Sequence, residues 1–315
     1  MDVYKLLKLN QSIKSHRIKF LGLWLLSVLN KRYLSIQLDP VLACNLRCKM
    51  CYFSDAAVVR NMKGMFKEED LEPIASSIFK NALRLQIGCG AEPTLFKHNT
   101  KLIELGRQYK VPHISMITNG NLLNAEDISA FANAGLNEII LSMHGVCKET
   151  YENLMDKGIY EEFHNVLMLI TEQKKLNPNL KLRINYTFNE DNFRELKYFF
   201  DFFGMYSIDI IQLRPIDKIG ETAYSNFSLK AIQEDYKDII NSIKAETEKR
   251  HIVLLYPSSI MRDEQLSFKV KTANDSSYIK PYTYYYLSPQ YSWKDDFDWR
   301  TESFPSWKKR NNWNV

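Results

Sequence analysis

The sequence is poor in the residues that make flexible chain. Gly occurs 11 times and Pro 10 times in 315 residues, which excludes a collagen-like or low-complexity class and leaves little material for a long linker. Long apolar runs are also missing. The longest, Phe20 to Leu29, has ten residues interrupted by Gly22 and Ser27, about half of the ~20 that cross a bilayer. Asn30-Lys31-Arg32-Tyr33 follows it where a cleaved signal would carry small residues. Cysteine is scarce: Cys44, Cys48, Cys51, Cys89 and Cys147, with none beyond. Three of the five within eight residues is metal-ligand spacing and no disulfide framework. A general excess of one charge is lacking too. Seven of the 42 Lys and Arg fall in residues 1–33 against Asp2 alone, and the other 35 meet 36 acidic residues. That excludes a generally basic nucleic-acid binder and leaves a basic N-terminal segment to explain.

What is present is ordinary globular composition, 45% apolar and 25% charged. From residue 34, short β-type runs alternate with helical stretches. Strands are expected at 34–38, 84–87, 113–118, 138–143, 181–188 and 208–214. Helices are expected at 68–81, 97–109, 125–134, 148–175, 191–203 and 228–249. Six β-then-α units in series predict an α/β fold, a partial (β/α)6 parallel barrel with right-handed crossovers. One parity of each strand is polar: Ser35 and Gln37, Gln86, Ser115, Ser142 and His144, Arg183, Asn185 and Thr187, Gln212 and Arg214. Closed eight-stranded barrels fill their interior with branched apolar side chains, so polar inner faces predict a wet, ligand-holding cavity. The chain divides into a basic amphipathic helix at 1–33, the barrel core at 34–256, and an extension at 257–315. Residues 278–315 hold twelve aromatics, among them Trp293, Trp299, Trp307 and Trp313. The extension is expected to pack on the barrel flank, with one or two aromatics reaching the cavity.

Cys44-Asn-Leu-Arg-Cys48-Lys-Met-Cys51 lies just past the first strand, where α/β folds place their chemistry. Three thiolates on a tight loop can hold three metals of a cubane or three positions on one metal. A structural zinc needs a fourth ligand, and the sequence has no second Cys pair. A 4Fe–4S cluster on three cysteines leaves one iron open. With Tyr52 following, the motif resembles that of the radical S-adenosylmethionine (SAM) superfamily. Three further segments carry the resemblance in order along strand ends: Gly88-Cys89-Gly90-Ala91-Glu92-Pro93, Thr118-Asn119-Gly120 and Leu141-Ser142-Met143-His144-Gly145. The resemblance covers residues 34–215. It implies that Cys44, Cys48 and Cys51 bind three irons and that SAM chelates the fourth. Reductive cleavage of SAM would then give a 5′-deoxyadenosyl radical that abstracts hydrogen from a substrate in the cavity. It also implies that Gly90 and Glu92 meet the SAM amino group, with Asn119 beside them. Ser142 and Asn185 are candidates for its ribose and carboxylate, and Arg214 for the far side. A flavodoxin or ferredoxin electron donor and a reducing cytoplasm follow from the same chemistry.

Two residues depart from the family pattern. Met50 stands before the third cysteine where an aromatic is usual, and Ala91 replaces a glycine, which costs about 1 kcal/mol if that position needs positive φ. Cys89 and Cys147 are candidates for returning a hydrogen atom, as in peptide epimerases, and His144 stands where many relatives carry Asp. With no cysteine after Cys147, auxiliary clusters are not expected, and the segment before residue 34 is too short for a peptide-leader domain. The favoured substrate is therefore a small metabolite or an envelope glycan or lipid precursor. The alternatives are a peptide-modifying enzyme (epimerase or cross-linker) and a non-catalytic metal-binding module. For residues 1–33 the expected arrangement is a helix docked with its apolar face in the core and its lysines in water. The other arrangement is a helix lying in a bilayer interface, as a peripheral membrane contact.

Overall fold

The computed structural model describes residues 13, 15–217, 221–257, 279–292 and 296–311. Trp293 and Trp313 lie outside them. Six strands follow the expected rhythm: β1 (Leu34–Leu38), β2 (Ala82–Ile87), β3 (Ile114–Thr118), β4 (Glu138–Met143), β5 (Lys181–Phe188) and β6 (Ile210–Pro215). Two more join them, β7 (Val253–Leu255) and β8 (Tyr284–Leu287). All pair in parallel in one open sheet of order β7-β6-β5-β4-β3-β2-β1-β8. The sixfold barrel is thus extended at both edges. The strand at the β1 edge comes from the far end of the chain.

The main helices are α1 (His16–Val28), α2 (Glu68–Ile78), α3 (Asn99–Gln108), α4 (Ala125–Ala134), α5 (Lys148–Leu154), α6 (Tyr160–Leu176), α7 (Gln233–Lys249) and α8 (Phe304–Arg310). Local chemistry sets their ends. Asn124 caps α4 by accepting from the Asp127 amide, and Gly135 ends it at φ 112°. The helix expected over 148–175 is two helices. The Leu154 and Asp156 carbonyls accept from the Lys49 and Arg47 amides of the cysteine loop, and Lys157 turns at φ 70° before Gly158. The break is made by the loop that it holds. The stretch 191–203 is likewise a 3-10 turn, Phe193–Tyr198, followed by a short helix, Phe199–Phe203.

Strand alternation sorts the side chains as the pattern predicts. Ile36, Leu38, Leu85, Ile87, Met116, Leu141, Ile184 and Leu213 point to the helices and join one apolar core. Phe297, Trp299, Phe304 and Trp307 of the C-terminal extension belong to the same core. On the other face the register aligns polar residues in rows. Tyr286, Gln37, Gln86, Ser115 and Glu138 are consecutive partners across β8-β1-β2-β3-β4. Ser142, Asn185 and Gln212 form a second row across β4-β5-β6.

The N-terminal helix departs from the expected docking. Its buried residues are Lys19, Leu23 and Ser27, a single i, i+4, i+8 edge, while Leu21, Trp24, Leu25 and Val28 face outward. That edge is held by Lys308, which donates to Ser27, and by Phe20 edge-on to Tyr282 at 5.6 Å. Leu23 is the one apolar side chain among the three that this edge buries.

Candidate active site

The cysteine loop leaves the C-terminal end of β1 and is fastened on three sides. Leu42 donates to the Gly64 carbonyl, Arg47 and Lys49 to the α5–α6 turn, and Glu92 to the Ala43 carbonyl, all at 2.9 Å. Inside it, the Arg47 guanidinium bonds the Cys44 and Leu46 carbonyls at 2.8 and 2.7 Å, and the Cys51 amide closes a turn on the Cys48 carbonyl. Cys44, Cys48 and Cys51 are half-buried and free of disulfides. Burial raises all three thiols, Cys44 to about 11, and neighbouring thiolate charges add to the rise at Cys44 and Cys48. A donor set of this kind ionises when a metal cation compensates it. Among the described residues no three His, Cys, Asp or Glu side chains converge on one point to hold a single ion. Three thiols each holding its own iron need no such convergence. The loop therefore suits a cluster.

Around the loop, two buried carboxylates fix the strand ends. Glu92 Oε1 accepts from the Thr94 amide and from the Thr94 and Thr118 hydroxyls, while Oε2 accepts from the Asn119 amide at 2.9 Å. Oε1 thus carries three donors and Oε2 one, so Oε2 is the oxygen with room for a further cationic donor. Asn119 in turn donates to Asn45 of the cysteine loop at 2.8 Å. Asp39, the residue after β1, accepts from the Cys89 and Gly90 amides and from the Tyr286 hydroxyl at 2.8 Å. Burial holds both Glu92 and Asp39 above the ordinary carboxylate value, against the pull of these hydrogen bonds. Tyr52 donates to the Gly90 carbonyl at 2.5 Å, and a Cβ on Gly90 would overlap that hydroxyl. Ala91 is absent from the positive-φ residues, so its replacement of glycine carries no backbone strain. Met50 is buried with Leu154 and Ile216 and accepts from Asn189 at 3.2 Å.

The polar face carries donors and acceptors left open. Among the described residues, Asn185 Oδ1, Ser115 Oγ and His144 Nδ1 are buried and find no hydrogen-bond partner. A buried unpaired polar atom costs about 1–3 kcal/mol, so such atoms on one face of the sheet point to a ligand that pairs them. Burial also lowers His144 to about 4, keeping its ring neutral. Deeper in, Glu138 pairs with Arg183 at 2.8 Å and His113 at 3.0 Å, and Arg183 reaches Gln212 at 2.9 Å. This network lies toward the N-terminal strand ends of the polar face.

The other sequence candidates separate in space. Cys89 joins the polar face: its thiol lies 2.8 Å from Gln37 Oε1 and 3.6 Å from Gln86 Nε2. It reaches water, yet the atoms around it and the Asp39 charge lift the thiol well above its ordinary value, as on a concave surface. Cys147 instead contacts Thr150 and Glu195, each at 3.4 Å, at the start of α5. Ser142 shares the Asn185 row, and Arg214 is exposed near the end of β6. Sequence reasoning missed Asp39, Asn45 and Tyr286. Asp39 could have been found from its place after β1; Tyr286 could not, being 247 residues from its partner. The cavities of about 410 and 270 Å³ lined by Glu72 and Trp299 and by Ala125 and Leu169 touch neither the loop nor the polar face.

A parallel partial barrel with three cysteines on the loop after its first strand defines a class of cluster-bearing α/β enzymes. The chain belongs to the Radical SAM superfamily, whose family model matches residues 39–203, a little over half of it. A probable GTP 3′,8-cyclase of Saccharolobus islandicus (strain L.S.2.15 / Lassen #1) is 26% identical over 216 residues, 66% of this chain and 65% of that protein. The chain thus spans just under two thirds of the curated relative's length. Streptococcus suis SuiB, solved with SAM and also with its precursor peptide SuiA, shares the fold. The SAM-bound form gives a TM-score of 0.60 at 17% identity, over 82% of this chain and 59% of SuiB. SAM-bound anSMEcpe gives 0.57 at 20% identity, over 70% of this chain and 61% of that one. The chain is thus a member of a superfamily whose cofactors are a 4Fe–4S cluster and SAM.

Proposed function

We propose that this enzyme abstracts hydrogen from a small polar metabolite held against the Ser142-Asn185-Gln212 row. The observation that carries the reading is the buried, unpartnered Asn185 Oδ1 on that row, on the polar face that also carries the Glu138–Arg183 pair. A wall of amide and charged groups suits a ligand with hydroxyl, amide or carboxylate functions. Cys44, Cys48 and Cys51 would hold the cluster. Glu92 Oε2 and the Gly90 segment would take the SAM amino group, with Asn119 and Ser142 nearby and Arg214 at the rim. When bound, the reduced cluster and SAM supply a 5′-deoxyadenosyl radical as hydrogen acceptor. The residues of this chain do the rest. Glu92 locks the β2 and β3 ends together, Asp39 sets the direction of the Cys89-Gly90 backbone, and the aliphatic cover of Met50 and Ile216 excludes water. A small flavin or iron–sulfur protein is the proposed electron donor. A peptide substrate has only fold likeness behind it.

The test is anaerobic incubation of the reconstituted enzyme with dithionite and SAM, reading 5′-deoxyadenosine. The expected result is cluster-dependent product whose rate rises with a low-molecular-weight cell extract and falls in Asn185→Ala. An intact cluster giving no more product than Cys48→Ala, or stimulation confined to the peptide fraction, overturns the reading.

A further inference from the structure

We propose that α1 docks this enzyme on an anionic lipid bilayer, lying in the plane of the interface. The inference goes beyond the reaction and stands on the geometry of the helix. Ile18, Leu21, Trp24, Leu25, Val28 and Leu29 are each 41% to 61% exposed, while the same helix buries a lysine, Lys19. A helix serving only as a lid on a soluble core turns its leucines inward and its lysines outward. Here the body-facing edge buries Lys19 and Ser27 beside a single leucine, Leu23, and most of the apolar side chains face outward.

The occupant is indicated by charge. Between Asp2 and Asp39 there is no acidic residue, so the apolar face carries no carboxylate of its own. Arg17 at the start of the helix and Lys31 just beyond its end are exposed. The neighbouring α8 adds Lys308, which is anchored on Ser27, and exposed Lys309. Two carboxylates close to α8 in sequence, Asp296 and Glu302, are paired with its Arg310. An apolar surface rimmed by cations is complementary to acyl chains beneath anionic headgroups. A second copy would bring the same cations face to face. Thirteen residues rise only about 20 Å, and no described helix is long and apolar enough to cross a membrane, so the helix lies on the bilayer.

Docking also sets orientation. The C-terminal end of α1 leads into the start of β1, and Phe20 touches Tyr282 just before β8. The cysteine loop leaves the opposite ends of the strands. A docked molecule therefore keeps its cofactor-bearing end away from the bilayer, and substrate enters from the aqueous side.

The experiment is flotation of the full-length protein with vesicles of phosphatidylcholine alone or mixed with phosphatidylglycerol. The expected result is flotation with the anionic vesicles only, reversed by high salt. The double substitution Leu21→Gln with Leu25→Gln, both on exposed positions, should abolish it while iron content and thermal midpoint stay unchanged. Arg17→Gln with Lys31→Gln should weaken binding by about tenfold or more. If the full-length protein stays at the bottom with anionic vesicles at low salt, the proposal fails. It also fails if the Leu21/Leu25 variant still floats, or if those substitutions instead convert a dimer to a monomer, which would give the face to a second copy.

Discussion

Cys48 illustrates how little freedom the individual site residues have. Burial and the two neighbouring thiols all disfavour its thiolate, so nothing but a bound cation pays for ionising it. Alanine at Cys44, Cys48 or Cys51 is expected to remove the cluster absorbance, the bound iron and all SAM cleavage, because a three-thiolate site has no spare ligand. Cys89→Ala and Cys147→Ala should retain iron in full; iron analysis of the five variants checks both statements. His144 supplies a second prediction, in pH. Its folded value is depressed from 6.5 to about 4, so between those values the unfolded chain binds a proton that the folded chain does not. Stability from this group is therefore intact above pH 6.5 and declines as pH falls toward 4. From pH 7.5 to 5.0 the wild type should lose about 2 kcal/mol more than His144→Gln, measured by urea denaturation under argon. Equal losses in the two proteins would contradict it.

The turns between strand and helix are where backbone conformation was hardest to choose freely. Gly88 sits at φ 79°, and a Cβ there would overlap the Ile117 carbonyl of the adjacent β3 and press on Pro93. Gly88→Ala combines positive φ with a clash against backbone, so it should cost about 2–4 kcal/mol and lower the urea midpoint with little change in slope. Ala91, three residues on, needs no such freedom. The contrast shows that the glycines of one motif are not equivalent: the first makes the turn, and Gly90 makes room for the Tyr52 hydroxyl. The α5–α6 break is also an element-level event. Apolar periodicity continues across residues 148–175, and local propensity alone reads one helix. Two carbonyls taken by the cysteine loop, with Lys157 and Gly158 in the turn, end it instead.

In the molecule as a whole, the C-terminal extension is part of the barrel. β8 adds to the β1 edge, Tyr286 orients Asp39 beneath the Cys89-Gly90 backbone, and Phe297, Trp299, Phe304 and Trp307 fill the main core. Removing a buried Phe or Trp costs about 3–5 kcal/mol, and ordinary domains hold about 5–15 kcal/mol in total. A chain ending at Thr283 is therefore expected to lose cooperative unfolding and to accumulate in the insoluble fraction. Circular dichroism melts of the two chain lengths check this. A truncated chain melting within a few degrees of the full one would show that the extension is an accessory.

Local signals were enough for the six core strands, the three-cysteine loop after β1 and the strand-end segments around Glu92, Asn119 and Ser142. Each is written in a few consecutive residues whose alternation, turn chemistry or thiol spacing acts over a short range. The polar inner face was readable for the same reason, since period-two alternation assigns a side before any partner is known. Pairing across long separations was not readable. Tyr286 meets Asp39 because parallel pairing brings β8 beside β1, and nothing near either residue encodes the other. The direction in which α1 faces belongs with these. Its sequence supplies apolar and cationic side chains all round. Contact with Tyr282 and Lys308 lies along the edge of Lys19, Leu23 and Ser27 that is buried, and Leu21, Leu25 and Leu29 are left outside.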